Sequence, residues 1–287
     1  MKLAGAPISW GVCEVPGWGT VLDPDTVLGE MAELGLTATE LGPPDYLPTE
    51  PTKLCALLGT YNLTVVGGFL AVPLHDESSI AEAERTVKVL AAASADVVVL
   101  AAATGIDGYD ERPALTDEQW NTLISTAAKI RDIAASHGLR TVLHPHVGTH
   151  VETEAEVERF IKDSDLQLCF DTGHLMIGGT DPVALAERYP SRIGHMHLKD
   201  VRAQLADKVR AGELGYAEAV GQGMYVPLGQ GDVDIEAVVR FVHQAGYDGW
   251  YVLEQDTALS EQSPVDTPKM DTASSLRYLN QIIGGLE

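Results

Sequence analysis

Eight times along its 287 residues this chain sets a short β-type run ahead of a longer segment of helical periodicity. No other feature constrains the fold as strongly, because a strand, a helix and a next strand in regular succession build parallel pairing by crossover. The runs are LAGAPISW (3–10), ATELG (38–42), LTVVGGFLAVP (63–73), DVVVLAAAT (96–104), RTVLHPH (140–146), LQLCFDTGH (166–174), RIGHMHLKD (192–200) and GWYVLEQD (249–256). Helix punctuation agrees with this division. Asp23 or Asp25 can cap the first helical segment, Gly35 closes it, and Thr116 with Gln119 fits a capping box ahead of the fourth. Units of about 36 residues with no linker between them predict an α/β chain, residues 1–287 forming a single (β/α)8 TIM-barrel domain. A doubly wound sheet is the rival, but GAPISWG lacks the GxGxxG spacing and no GxxxxGK[ST] occurs. The seventh unit carries a long connection from 201 to 231, read as a rim insertion that covers the substrate.

Strand side chains alternate between lumen and helix layer, and barrel chemistry sits at the C-terminal ends of strands. His144 and His146 share a face with Val142; Gln167, Cys169 and Asp171 face the lumen opposite an apolar set of Leu166, Leu168 and Phe170. His195 shares a face with His197, and Glu254 with Val252. The last inward residues of strands five to eight are therefore His144 or His146, Asp171, His197 and Glu254, side by side on one rim. Two imidazoles and two carboxylates form a nitrogen and oxygen set that suits Mn²⁺, Co²⁺, Fe²⁺ or Zn²⁺, with positions left for substrate. The spacing fits one unit per ligand: 27 residues from His144 to Asp171 and 26 from there to His197, then 57 to Glu254 across the insertion.

Composition removes several classes of function. Forty-two acidic against nineteen basic residues give a formal charge of −23, which repels phosphate backbones and anionic membrane surfaces. Nucleic acid and membrane partners are not expected, and a small-molecule substrate is. Cys13, Cys55 and Cys169 form no CxxC pair and point to a reducing cytoplasm; MKLAGAPISW has no signal-peptide h-region, and no stretch is apolar enough to span a membrane.

Most histidines have plainer explanations. His75, His137 and His243 are read as surface or packing residues, and His150 as a loop residue. His195 stays open between packing and support of the ligands. Cys169 is read as a buried filler, and Trp10 as a flat apolar face for a substrate ring or as rim packing. For the four-residue set, the alternative is a buried hydrogen-bond network without metal.

Taken together, GAPISWGV (5–12), TELGPPDYLP (39–48), HPHVGTH (144–150), FDTGHL (170–175), HLKDV (197–201), PLGQGDVDI (227–235) and GYDGWYVLEQD (246–256) resemble the xylose-isomerase-like sugar isomerases and epimerases. Within that superfamily they are most similar to the myo-inosose-2 dehydratases. The resemblance implies one divalent ion, Mn²⁺ or Co²⁺ ahead of Zn²⁺, Fe²⁺ or Mg²⁺, held by His144, Asp171, His197 and Glu254. It also implies no nicotinamide and a homodimer or homotetramer. Many members place a glutamate before the proline of the fifth strand, where this chain has His144 before Pro145. That exchange removes a base used in epimerisation and favours dehydration.

The chemistry so implied is loss of water from a cyclic keto-polyol, 2-keto-myo-inositol, in a carbon–oxygen lyase of inositol catabolism. His174 is the favoured proton-transfer residue, with Glu254 second and Glu40 as the acid for the leaving hydroxyl or a hydroxyl partner. His146, Trp10 and Lys199 are candidate substrate contacts, although Lys199 and Asp200 could instead pair with each other. The alternatives are a keto-sugar isomerase or epimerase and a lyase of a 3-keto glycoside; a non-catalytic sugar-binding barrel should lack ligands, and an endonuclease is opposed by the charge.

Overall fold

The structure is a computed structural model that describes residues 1–13, 15–260, 262–264 and 266–286. Its central sheet is wholly parallel and closes on itself. The strands are β1 (Lys2–Gly5), β2 (Ala38–Thr39), β3 (Thr64–Val65 continuing as Gly67–Val72), β4 (Val97–Ala102), β5 (Arg140–Leu143), β6 (Gln167–Asp171), β7 (Ile193–Leu198) and β8 (Trp250–Leu253), each paired with the next and β8 with β1. Val66 is the closing point. Its N–H donates to Thr39 O of β2 at 2.9 Å while its carbonyl accepts from Val97 of β4 at 3.1 Å.

Around the sheet lie α1 (Pro24–Glu33), α2 (Pro51–Thr60), α3 (Ile80–Ala92), α4 (Asp117–Ser136), α5 (Glu154–Asp163), α6 (Thr172–Ile177), α7 (Pro182–Arg188), α8 (Ala203–Arg210), α9 (Tyr216–Gly221), α10 (Ile235–Gln244) and α11 (Thr267–Gly284). Asp23 accepts from Thr26 N at the start of α1, and both halves of the Thr116–Gln119 capping box form at α4. None of these helices is long and apolar enough to cross a membrane.

Two expectations need correction here. LAGAPISW is not one strand: Pro7 fixes φ and starts a 3-10 turn over Pro7–Trp10. Trp10 is consequently turned out of the lumen, fully buried, with its indole N–H donating to Glu30 of α1 at 2.7 Å. The insertion folds into α8, α9 and an antiparallel ribbon of Asp200–Val201 with Tyr225–Val226, and it supplies no wall to the central cavity.

The lumen is filled by small residues, Ala4, Ala6, Ala38, Val66, Val142 and Cys169 among them. Leu143, Leu168 and Phe170 belong to the larger core between strands and helices, as alternation requires. Small lumen residues leave room for long polar side chains near the strand ends. One irregularity sets their alignment. Leu168 pairs with Ile193 but Cys169 pairs with His195, so β7 holds an extra residue, Gly194. A Cβ there would lie 2.7 Å from Gln167 Cβ and 2.8 Å from Val142 Cγ1, which is why the bulge takes glycine. The shift sets His197 opposite Asp171 on one side and Val252 on the other.

Candidate active site

His144 follows β5, Asp171 ends β6, His197 is next to last in β7, and Glu254 follows β8. Their side chains converge. His144 Nε2 lies 3.3 Å from Asp171 Oδ2, and His197 Nδ1 lies 3.5 Å from that oxygen and 3.1 Å from Glu254 Oε2. Asp171 is held from behind, since its Oδ1 accepts from the N–H groups of Gly173 and His174 at 2.9 and 2.8 Å as the N-cap of α6. Only Oδ2 is left to face inward.

His197 Nδ1 is buried and has no hydrogen-bond partner, although two carboxylate oxygens flank it. An orphaned ring nitrogen between anions is the feature a divalent cation would relieve, and the donor set of two imidazoles and two carboxylates fits one. The ligand atoms of Asp171, His197 and Glu254 all lie within 4.8 Å of one another.

A second cation shares these carboxylates. Lys199 Nζ sits 3.4 Å from Asp171 Oδ2, 3.0 Å from Glu254 Oε2 and 2.8 Å from Asp256 Oδ1. Burial opposes its charge, but Asp171, Asp256 and Glu254 hold its pKa well above the usual lysine range. Burial alone would likewise raise Glu254, yet His197 and Lys199 hold it down at about 2. Asp171 is held well below the carboxylate range against the same burial by Lys199 and His174. The alternative of a Lys199–Asp200 pair does not form. Asp200 instead accepts backbone N–H groups from Val201, Gly229, Gly231 and Val233, tying down the far end of the insertion.

A cavity of about 440 Å³ opens onto this cluster. His144, His146, His197, Lys199, Glu254 and Asp256 form its polar wall, and Phe69, Trp18 and Tyr109 stand among its apolar residues. A shallower hollow of about 790 Å³ lies near Glu158, Arg159 and Arg192, by the N-terminal ends of the strands, and gathers no comparable set. His146 Nδ1 donates to Val147 O at 2.7 Å, and burial followed by the neighbouring His144 charge lowers its pKa to about 4.

His174 is not among the residues lining the cavity, although its ring nitrogen lies within 4.8 Å of ligand atoms of His144 and Asp171. It lies in the first turn of α6, is 1% exposed, and stands behind the cavity wall with its ring 3.7 Å from that of His146. Its Nε2 is 3.1 Å from Lys199 Nζ, and burial, then His146 and Lys199, push its pKa well down. Trp10 does not line the cavity either, whereas Phe69, packed edge-on to His144, does. Glu40 reaches the cavity but binds His195 and His197. Cys169 is wholly buried, and burial raises its thiol to about 12.

Sequence reasoning missed Asp256, Tyr216 and Thr172. Asp256 was findable, because it follows Glu254 at the strand period of two. Thr172 Oγ donates to Lys199 O at 2.7 Å and Tyr216 donates to Asp256 Oδ2 at 2.6 Å, contacts between segments that no local pattern links.

The chain is similar to known proteins along its whole length. The chain is 34% identical over 297 residues to an inosose dehydratase of Geobacillus kaustophilus, covering 98% of this chain and 94% of that one. It is 30% identical to an inosose dehydratase of Lacticaseibacillus casei, covering 93% of each. Among solved structures it superposes with a TM-score of 0.71 on the probable 3-DHS dehydratase AsbF of Bacillus anthracis, at 17% identity over 98% of this chain and 99% of that one. It superposes with a TM-score of 0.75 on IOLI protein with a binding zinc atom, at 14% identity over 100% and 99%. Residues 28–282 match the model of the xylose isomerase-like TIM barrel, and the chain belongs to that family.

Proposed function

We propose that this chain is a metal-dependent hydro-lyase of the inosose dehydratase type, removing water from 2-keto-myo-inositol or a closely similar cyclic keto-polyol. The observation that carries the reading is the meeting of Asp171 with His144, His197 and Glu254, the last three of which line one cavity, in a chain so similar to inosose dehydratases along its whole length. Those four residues would hold the ion. Their nitrogen and oxygen donors suit Mn²⁺, Co²⁺, Fe²⁺ or Zn²⁺, and the zinc of the IOLI neighbour supports a divalent ion in a barrel of this shape.

A divalent ion bound there supplies Lewis acidity at the ketone oxygen and so acidifies the neighbouring C–H. Glu254 borders the cavity and takes that proton through a carboxylate oxygen. Lys199 Nζ gives a proton to the departing β-hydroxyl, and Asp256 holds the ammonium in place. His146 meets ring hydroxyls, Phe69 lies against the C–H face of the ring, and His174 supports Lys199 from behind. The net change is loss of one water and formation of a conjugated enol–dione.

The test is incubation of manganese-loaded protein with 2-keto-myo-inositol while ultraviolet absorbance is followed. A rising enol–dione band supports dehydration. A flat trace together with interconversion of a ketose would assign the barrel to isomerase or epimerase chemistry.

A further inference from the structure

We propose that Glu40 is a positioning residue that fixes the tautomer and orientation of His197, and through it the seat of the ion, and is not the acid that assists the leaving hydroxyl. The inference rests on the metal-binding part of the reading above and not on the identity of the substrate.

Glu40 follows β2, three strand positions around the barrel from β7, and crosses a lumen kept open by Ala4, Ala6 and Ala38. Its backbone is fixed by an N–H bond to Gly5 O at 3.0 Å, and the residue is 3% exposed. One oxygen, Oε1, lies 2.8 Å from His195 Nε2 and 3.0 Å from His197 Nε2. An ionised carboxylate only accepts hydrogen bonds, so both Nε2 atoms must carry a proton toward it. When an ion is bound and the ring is neutral, His197 then turns the lone pair of Nδ1 to the other side.

On that side stand Glu254 Oε2 at 3.1 Å and Asp171 Oδ2 at 3.5 Å, and Nδ1 has no hydrogen-bond partner. A neutral ring there aims an acceptor at two acceptors, an arrangement that a bound cation resolves, as a second ring proton does without it. A carboxylate behind a ligating histidine is a general means of setting which ring nitrogen faces the ion. The bulge at Gly194 explains the second histidine, since it brings His195 into the lumen where it steadies the same oxygen of Glu40. With both of its contacts directed at imidazoles, Glu40 Oε1 is spent on orientation.

The experiment compares full-length wild type with Glu40→Gln and Glu40→Ala. Manganese affinity is read by competition with a chelating dye, and turnover is read across manganese concentrations. The positioning role gives about 10- to 100-fold weaker manganese binding in Glu40→Gln, with kcat returning toward the wild-type value once manganese saturates. Unchanged affinity with kcat depressed at every manganese concentration would overturn it and make Glu40 a proton donor. Histidine ¹⁵N spectra of the zinc-loaded wild type decide the matter without any variant. A protonated Nε2 and a zinc-bound Nδ1 in His197 support the proposal, and zinc on Nε2 overturns it. Both binding readouts hold even if 2-keto-myo-inositol is not turned over, so failure of the substrate assignment is distinguishable.

Discussion

The Lys199 ammonium is buried 2.8 Å from one oxygen of Asp256, whose other oxygen accepts the Tyr216 hydroxyl at 2.6 Å. This relationship ties the insertion to the chemistry. Tyr216, on α9, also meets the Tyr225 hydroxyl at 2.7 Å, so the inserted segment braces the lysine and leaves the cavity open to substrate.

Replacing Lys199 by methionine should separate catalysis from metal binding. We expect kcat to fall by about 10²- to 10⁴-fold, the range for losing a general acid. Manganese should be held at least as tightly, because an ammonium competing for Asp171 and Glu254 is gone. Calorimetric titration showing weaker binding would mean that Lys199 instead holds the ligands in place.

His197→Ala and His144→Ala should lose the ion, with affinity falling by more than the roughly 100-fold ascribed to supporting residues. His174→Ala should retain it, since that ring stands behind the wall and contacts Lys199. Metal content after dialysis, measured by atomic absorption, gives the order directly. Equal content in all three variants would remove His144 and His197 from the ligand set.

Gly194→Ala forces a methyl to within 2.7 Å of Gln167 Cβ, and overpacking of this kind costs about 1–3 kcal/mol. The urea midpoint should fall accordingly. Because the bulge sets the register of His195 and His197, manganese affinity should fall as well. A destabilised variant with wild-type affinity would show that the register does not depend on the bulge.

Acid should destabilise the fold through its buried histidines. Burial lowers His146 and His150 from 6.5 to about 4, with the neighbouring His144 and His75 charges acting in the same direction. Between those values the unfolded chain binds more protons than the folded one, so stability decreases as pH falls through that window. For His146, which is 8% exposed, the linkage amounts to about 3 kcal/mol. Unfolding midpoints at pH 7 and pH 4.5 measure it, and His146→Gln should flatten the dependence. An equally steep dependence in that variant would move its origin to other groups.

Much of the architecture was legible from local pattern. Alternation sorted Val142, Cys169 and Val252 to the lumen and Leu143, Leu168 and Phe170 to the helix layer, where the structure has them. The same period of two, applied to strand ends, gave His144 or His146 with Asp171, His197 and Glu254, and the structure brings His144, Asp171, His197 and Glu254 together. Pattern failed where direction depends on something beyond the strand. Trp10 alternates correctly as a strand residue, but Pro7 turns the chain before it arrives. His174 lies three residues past Asp171, and the N-cap made by that same aspartate winds it into α6 and away from the cavity.

The sequence by itself determined a closed parallel barrel and the rim on which its polar residues gather, because strand and helix periodicity are local and repeat eight times. Only the tertiary structure decided which of those residues face one another: that Glu40 crosses the lumen to His195 and His197, that Lys199 turns to Asp256 and not Asp200, and that Tyr216 reaches the site from the insertion. These are contacts between segments far apart in the chain. They follow from barrel closure, a one-residue bulge and the small volume of the lumen, none of which a window of neighbouring residues encodes.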